Sequence, residues 1–432
     1  MSSPIAVTTP AYPPPEIWRL ILQFATWSET SFHVDYQPFQ HIQELQETAQ
    51  SERCEILRLQ TCLSLMGVSR HFRNVTAEFM YEDVRIYDTK GLESLLSALT
   101  RSAREDGPHN YGSYIRRLEL PQRRTIMLPP SEFLPLPTHP IQFGPDTIRL
   151  ADILHLCPNL EVLVRPCLIL DAQNVIFWAG LIGKAFDGSL SHLKRFDWHE
   201  SELDGQFYGT NHIDRLREIV ARAPNLRYLF LTSDRPNPVA DLCLPSSLRT
   251  IRLNRSYLPS LHSRKCLVMA RHRSEAPNLR NLVLHTMLPT TLLDFLAVVG
   301  HQLRVLELAF APQVVFSSNQ MQRLISRYPK LEELVYFLGA PEISPLIDFQ
   351  CDTVKRVRIK LNPDEWNPCR PVVRSQVDVL TGPSFPALEE IILHDRARWF
   401  LRKDSGGELL RRLHHRGCAV NYEDGSPVIP LT

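Results

Sequence analysis

The stretch 223–231, A-P-N-L-R-Y-L-F-L, returns in close variants through most of the chain and constrains the fold more than any other feature. Written L-x-x-L-x-L, it recurs at Leu160/Leu163, Leu193/Phe196/Trp198, Leu226/Leu229/Leu231, Leu248/Ile251/Leu253, Leu279/Leu282/Leu284 and Leu303/Leu306/Leu308. Leu331/Leu334/Tyr336, Val354/Val357/Ile359 and Leu388/Ile391/Leu393 continue the series, and Ile115/Leu118/Leu120 reads as an earlier copy. From Leu160 onward the first positions lie 33, 33, 22, 31, 24, 28, 23 and 34 residues apart. A pattern returning on this scale calls for a stack of like units, because one closed core gives no reason to repeat.

The residues of one unit explain its shape. Before the copy at Leu226, the residues Ile213, Leu216, Ile219 and Val220 fall at helical spacing, as do Met321, Leu324 and Ile325 before Leu331. Pro158, Pro224, Pro277, Pro329 and Pro386 each stand two residues before the first leucine position. A proline there ends the helix, since it has no N–H to give and its φ is fixed. The leucines that follow alternate in and out, as a short strand with one buried face requires. One unit cannot cover its own apolar face, so units stack side by side into a solenoid with a parallel strand layer. The pattern is that of leucine-rich repeats in irregular form, an α/β fold. Proline supports it, at 34 of 432 residues, about 8% against a usual value of about 5%.

Composition narrows the class. With 44% hydrophobic residues and 22% charged, the chain has ample material for a core. A net charge of +1 builds no global field towards nucleic acid or an anionic membrane. Nine cysteines, an odd number with no C-x-x-C, fit neither a disulfide framework nor a zinc site. The N-terminus lacks a basic region followed by an apolar run, and the most apolar window, 291–299, carries Asp294 and is half a membrane span. A cytoplasmic or nuclear location is the expectation.

In chain order, residues 1–12 read as a disordered leader. Pro13, Pro14 and Pro15 then open a helix with Glu16 near its positive end. Ile17, Leu20, Ile21 and Phe24 make one apolar stripe. From 28 to 55 the apolar period is lost, and a polar insertion, with a short polar helix around 41–53, is expected. Structure resumes with Leu59, Leu63 and Met66 on one helix. Ser69 is placed to cap the next, which carries Phe72, Val75, Thr76 and Phe79, and a strand is expected over 81–87. The two segments P-P-E-I-W-R-L-I-L and L-S-L-M-G-V-S-R-H-F-R-N-V-T-A-E-F-M-Y resemble an F-box, the three-helix module of cullin-based ubiquitin ligase receptors. The likeness is to the fungal type with a polar insertion after the first helix, and it covers about 60 of 432 residues. Two departures stand out: Pro13 or Tyr12 replaces the leucine that usually precedes the first proline, and the insertion splits the module.

The expected organisation is therefore an F-box-like module over 13–82, a solenoid over 83–423 and a tail over 424–432. The resemblance implies a substrate receptor of an SCF-type ligase. In it the module docks a Skp-type adaptor, and through it a cullin, while the solenoid recognises a protein target. Carried over position by position, the adaptor-binding residues are Pro14, Pro15, Ile17, Ile21, Leu22, Leu63, Val68 and Phe72. Some of these must also hold the helices together. The alternative is a non-ligase scaffold whose N-terminal helices only cap the solenoid.

Side chains between the leucines face away from the repeat core. That places Tyr228, Phe230, Arg252, His285, Phe337, Arg356, Arg358 and Lys360 on a face suited to a protein target, with aromatic anchors beside a basic strand. A covering loop over Tyr228 and Phe230, or a solvated edge at Arg356, Arg358 and Lys360, would serve the same residues equally. No nucleotide-binding, nucleophile-elbow or zinc-protease motif occurs. His414, His415 and Cys418 lack partner ligands, and Asp197, His199 and Glu200 read as solvent-facing charges. No catalytic centre, metal or cofactor is expected.

Overall fold

A computed structural model describes residues 14–26, 32–39, 55–86, 89–104, 110–120, 150–165, 186–199, 211–232, 243–254, 277–285, 300–308, 325–326, 328–338, 350–361, 378–394 and 404–428. Twelve strands form one sheet in strict sequence order. They are β1 (Asp83–Arg85), β2 (Arg117–Glu119), β3 (Val162–Arg165), β4 (Arg195–His199), β5 (Tyr228–Thr232) and β6 (Thr250–Asn254), followed by β7 (Asn281–Leu284), β8 (Val305–Leu308), β9 (Glu333–Leu338), β10 (Arg356–Leu361), β11 (Glu390–His394) and β12 (Ala419–Tyr422). Every neighbouring pair is parallel. Parallel strands paired strictly with their sequence neighbours are a solenoid of the leucine-rich-repeat kind.

The register explains the motif. One row across the sheet runs Leu118, Leu163, Phe196, Leu229, Ile251, Leu282, Leu306, Leu334, Val357, Ile391 and Val420. All eleven are buried in the single apolar core. Two residues on, a second core row runs Trp198, Leu231, Leu253, Leu284, Leu308, Tyr336, Ile359 and Leu393. Arg165 takes that place in β3, which is why the copy at Leu160 lacks its third apolar residue. Its guanidinium is buried and lies 4.7 Å from the ring centroid of Trp198.

Two devices tie one unit to the next. The asparagine of P-N-L donates to a carbonyl of the preceding repeat: Asn159 to Ser113 at 2.7 Å, Asn225 to Ser191 at 2.7 Å, Asn278 to Ser246 at 2.8 Å. At the starts of β3 to β11 one carbonyl accepts two amides, as Lys194 O does from Arg227 and Tyr228 at 2.8 and 3.0 Å. Both satisfy backbone groups that a stacked, half-buried turn would otherwise leave unpaired.

Among the described residues the helices of six residues or more are α1 (Pro15–Thr26), α2 (residues 55–66), α3 (Arg70–Glu82), α4 (Thr89–Arg104), α5 (Leu150–His155), α6 (Asn211–Ala221) and α7 (Asp404–His415). α6 buries Leu216, Ile219 and Val220 and ends ahead of Pro224, as the spacing predicts. α7 is closed two residues beyond its end by Gly417, whose φ of +78° favours glycine, with its N–H donating to His414 O. Two expectations shift. The strand expected over 81–87 is confined to Asp83–Arg85, because α3 continues through Glu82. Residues 101–112, whose Pro, Arg and His content reads as a loop, instead continue α4 to Arg104 and enter a 3-10 turn over Tyr111–Tyr114. The leader 1–12 and the polar helix expected at 41–53 lie outside the described residues, as do 121–148, rich in Pro, Arg and His and read as a loop, and 362–377 of the proline-bearing interruption read over 362–386.

Candidate protein-interaction surfaces

The helical head is built inside out. On α1 the stripe Ile17, Leu20, Ile21 and Phe24 points to solvent, while Leu22 is buried and Trp18 meets Phe72 edge-on at 4.8 Å. On α2 the inward residues are Glu55, Arg58 and Cys62, and Ile56, Leu57 and Leu63 are exposed. Arg58 donates to both carboxylate oxygens of Glu55, at 2.8 and 2.7 Å, and to the carbonyls of Phe79 and Asp83, which lie in the last turn of α3 and at the start of β1. Burial alone would lower the guanidinium's pKa; the Glu55 hydrogen bond and charge outweigh it and hold it fully charged. An amphipathic helix normally buries its apolar stripe. Here the Glu55–Arg58 network shares the interior with Leu22, Cys62, Val75 and Ala77, and the larger aliphatic side chains of α1 and α2 lie mostly at the surface.

Of the residues expected to bind an adaptor, Ile17, Ile21, Leu63 and Val68 are 44% to 64% exposed, and Pro14 is exposed too. Leu22 is corrected to an interior position, and Phe72, half buried against Trp18, packs between the helices. The side chain of Pro15 lies outside the described residues. Leu20, Phe24, Ile56 and Leu57 extend the exposed set beyond what the sequence indicated; Phe24 is 85% exposed. α3 passes into β1 without a linker. Tyr81 at its end stacks on Tyr111 at 4.6 Å, and Glu82 pairs with Arg116 at 2.7 Å.

Away from the leucine core, the other side chains of the strands make an open-face layer of two registered rows. One contains Arg195, Tyr228, Thr250, Asn281, Val305, Glu333, Arg356 and Glu390. The second contains Asp197, Phe230, Arg252, Val283, Glu307, Val335, Arg358 and Ile392. Of the expected target-binding side chains, the described ones project on this side, outside the core cluster. Their expected display to solvent is corrected: Tyr228, Phe230, Arg252, His285 and Lys360 are buried. Arg252 lies 4.1 Å from the Phe230 ring centroid and donates to His285 at 2.8 Å, and Arg195 lies 4.9 Å from that of Tyr228. Arg356 and Arg358 are tied down, to Glu333 and Glu390 and to Glu333 respectively, at 2.5 to 3.1 Å. Asp197, read as solvent-facing, is buried against Arg195 at 2.6 Å. The side chain of Phe337 lies outside the described residues.

Part of the cover is the chain's own insertion. Residues 32–39, F-H-V-D-Y-Q-P-F, cross the layer on a diagonal. The Arg116 guanidinium, at the start of β2, lies 5.1 Å from the Phe32 ring centroid, and Arg195 of β4 donates to His33 O at 3.0 Å. Tyr36 donates its hydroxyl to Glu307 of β8 at 2.7 Å, and the Phe39 amide donates to the same carboxylate at 3.2 Å. Phe39 is fully enclosed, with Lys360 of β10 at 5.7 Å and His394 of β11 edge-on at 4.6 Å. Burial, then the Glu307 charge, push the Tyr36 phenol well above its ordinary pKa, so it stays a donor at any physiological pH. Nine strand steps at about 4.8 Å would separate β2 from β11 by about 43 Å in a flat sheet. Eight residues reach at most about 28 Å. Long side chains and the curvature of a solenoid close the difference.

A third surface is the row of side chains just before the strands. In its middle stand five cations in succession, Lys194, Arg227, Arg249, Arg280 and Arg304, flanked by Glu161 and Glu332. The ends pair, Lys194 with Glu161 at 2.7 Å and Arg304 with Glu332 at 3.6 Å. Among the described residues no cluster of His, Cys, Asp and Glu could hold a metal ion. His414 and His415 are exposed at the end of α7, apart from buried Cys418, whose thiol burial pushes up to about 11.

No helix among the described residues is long and apolar enough to cross a membrane. No protein-family model and no curated protein matches the sequence. Among solved structures, the leucine-rich repeat-containing protein LegL7 from Legionella pneumophila is similar at 10% identity and a TM-score of 0.36, over 67% of this chain and 91% of that one. The repeat architecture stands on the strand order and register, and on those grounds the chain is an irregular solenoid of the leucine-rich-repeat kind behind a three-helix head.

Proposed function

We propose that the chain is a substrate receptor of an SCF-type ubiquitin ligase, with the head docking a Skp-type adaptor and the solenoid selecting a protein target. The chain itself performs no chemistry in this reading. The observation that carries it is the inverted head. Ile17, Leu20, Ile21 and Phe24 on α1, with Ile56, Leu57 and Leu63 on α2, put an apolar surface on a module too small to tolerate one without a partner. These are the segments that resemble an F-box. The scaffold reading, in which the head only caps the first repeat, accounts for α3 and its continuation into β1. It gives no reason for the outward stripe on α1.

The test is co-expression of the full chain with a Skp-type adaptor. The unaltered chain should retain adaptor through purification, and Ile21→Asp or Leu63→Glu should lose it. Both side chains are about half exposed, so each substitution should change stability by no more than about 0.5 kcal/mol. A chain that keeps its thermal midpoint but never retains adaptor would end the ligase reading and leave the scaffold.

A further inference from the structure

Residues 32–39 are held like a ligand. They come from the insertion that splits the head, yet they lie on the strand face, and their contacts fall just before β2 and on β4, β8, β10 and β11. Glu307 stands in its row between Val283 and Val335, and a carboxylate so enclosed has to be met by donors. Tyr36 and the Phe39 amide supply two of them. Phe39 is buried yet lies outside the leucine core, and its φ of 59° makes it the one left-handed residue other than glycine among the described residues. A bulky side chain holds that conformation only where its surroundings force it, and such strain gathers at clamps and switches. A loop that merely filled the hollow would have no need of a strained aromatic end.

We propose that the open face of β4–β11 is a groove for an extended segment of a partner protein, that residues 32–39 are its internal occupant, and that the partner binds by displacing them with a segment of the same chemistry. That segment carries a hydroxyl-bearing ring to donate to Glu307. Three residues on, it carries a second ring to sit between Lys360 and His394. Arg195 donates to a backbone carbonyl, which any sequence offers, so selectivity resides in the two rings. The proposal rests on the open face being the recognition surface and is independent of what the head docks.

The test uses the full chain and a fluorescent peptide of sequence F-H-V-D-Y-Q-P-F, read by anisotropy. Tyr36→Ala with Phe39→Ala removes the internal anchors, and this double variant should bind the peptide at least tenfold more tightly than the unaltered chain. Adding Glu307→Ala should erase that gain, and a scrambled peptide should not bind. A double variant with unchanged circular dichroism that binds no better than the unaltered chain, or takes the scrambled peptide equally well, overturns the proposal. Should the double variant fail to fold, hydrogen exchange on the unaltered chain decides. The Phe39 amide is expected to exchange at least a hundredfold faster than the amides of β8, and equal protection would make the segment a permanent part of the fold. Adaptor retention by the double variant should be unchanged, which separates this result from that of the head.

Discussion

A few residues do what the leucine pattern cannot. Asp83, at the front of the sheet, is the clearest: burial pushes its carboxyl up, and the guanidinium groups of Arg117 and Arg85, with the Arg117 hydrogen bond, pull it down further, to well below the usual carboxylate range. A carboxyl depressed in the folded state contributes stability that is complete above its unfolded pKa of about 3.9 and is lost as pH falls from there towards the folded value. The urea midpoint should therefore fall steeply below about pH 4. In Asp83→Asn it should start lower at pH 7 and show a shallower acid limb. An acid limb of the same slope in both proteins would contradict the assignment. Arg165, in a core row over Trp198, is a second such residue. There the sequence departs from its own motif, and the structure keeps the strand in register regardless.

Between elements, the governing contrast is which face each one buries. Strands β4–β11 were readable because two leucine positions per copy recur in register, and a one-residue slip would turn the whole set to the wrong side. The head was readable as helices, but the sequence left open which of its apolar residues face the interior and which face out. Ile17, Leu20, Ile21 and Phe24 have the spacing of a core stripe, and spacing alone cannot say that Glu55 and Arg58 of another helix take the interior. Segment 32–39 was read as part of a polar insertion, because Gln, Glu and Ser dominate 28–55. Its one signal is three aromatics, Phe32, Tyr36 and Phe39, within eight residues. Arg58→Ala tests the polar interior. It leaves the Glu55 charge and two helix-end carbonyls without their donor, and breaking a buried pair from one side costs about 3 to 5 kcal/mol. Calorimetry should show the head unfolding at lower temperature, with the later repeats little changed; a shift of only a degree would mean the network contributes little.

Over the whole molecule, stability is transmitted from neighbour to neighbour, since each strand pairs only with the next. Leu229→Ala in the middle of the sheet should cost about 3 to 5 kcal/mol. The faster hydrogen exchange it causes should be greatest in β4–β6 and fade within a few strands on either side. Segment 32–39 is the exception, a tie between distant repeats. Combining Leu229→Ala with the loss of Tyr36 and Phe39 should let exchange spread further along the stack than either change alone, and the same narrow zone in both cases would deny the segment any bracing role.

The junction at Glu82 and Asp83 has one more consequence. A helix of the head becomes the first strand within a single peptide bond, with Tyr81 on Tyr111 and Glu82 on Arg116 bracing the joint. On the function proposed above, an adaptor held by α1 and α2 is thereby set at a fixed bearing to a target along the strands, and the count of repeats between them acts as a ruler. A few glycines inserted at this point would leave both grips intact and remove only the aim.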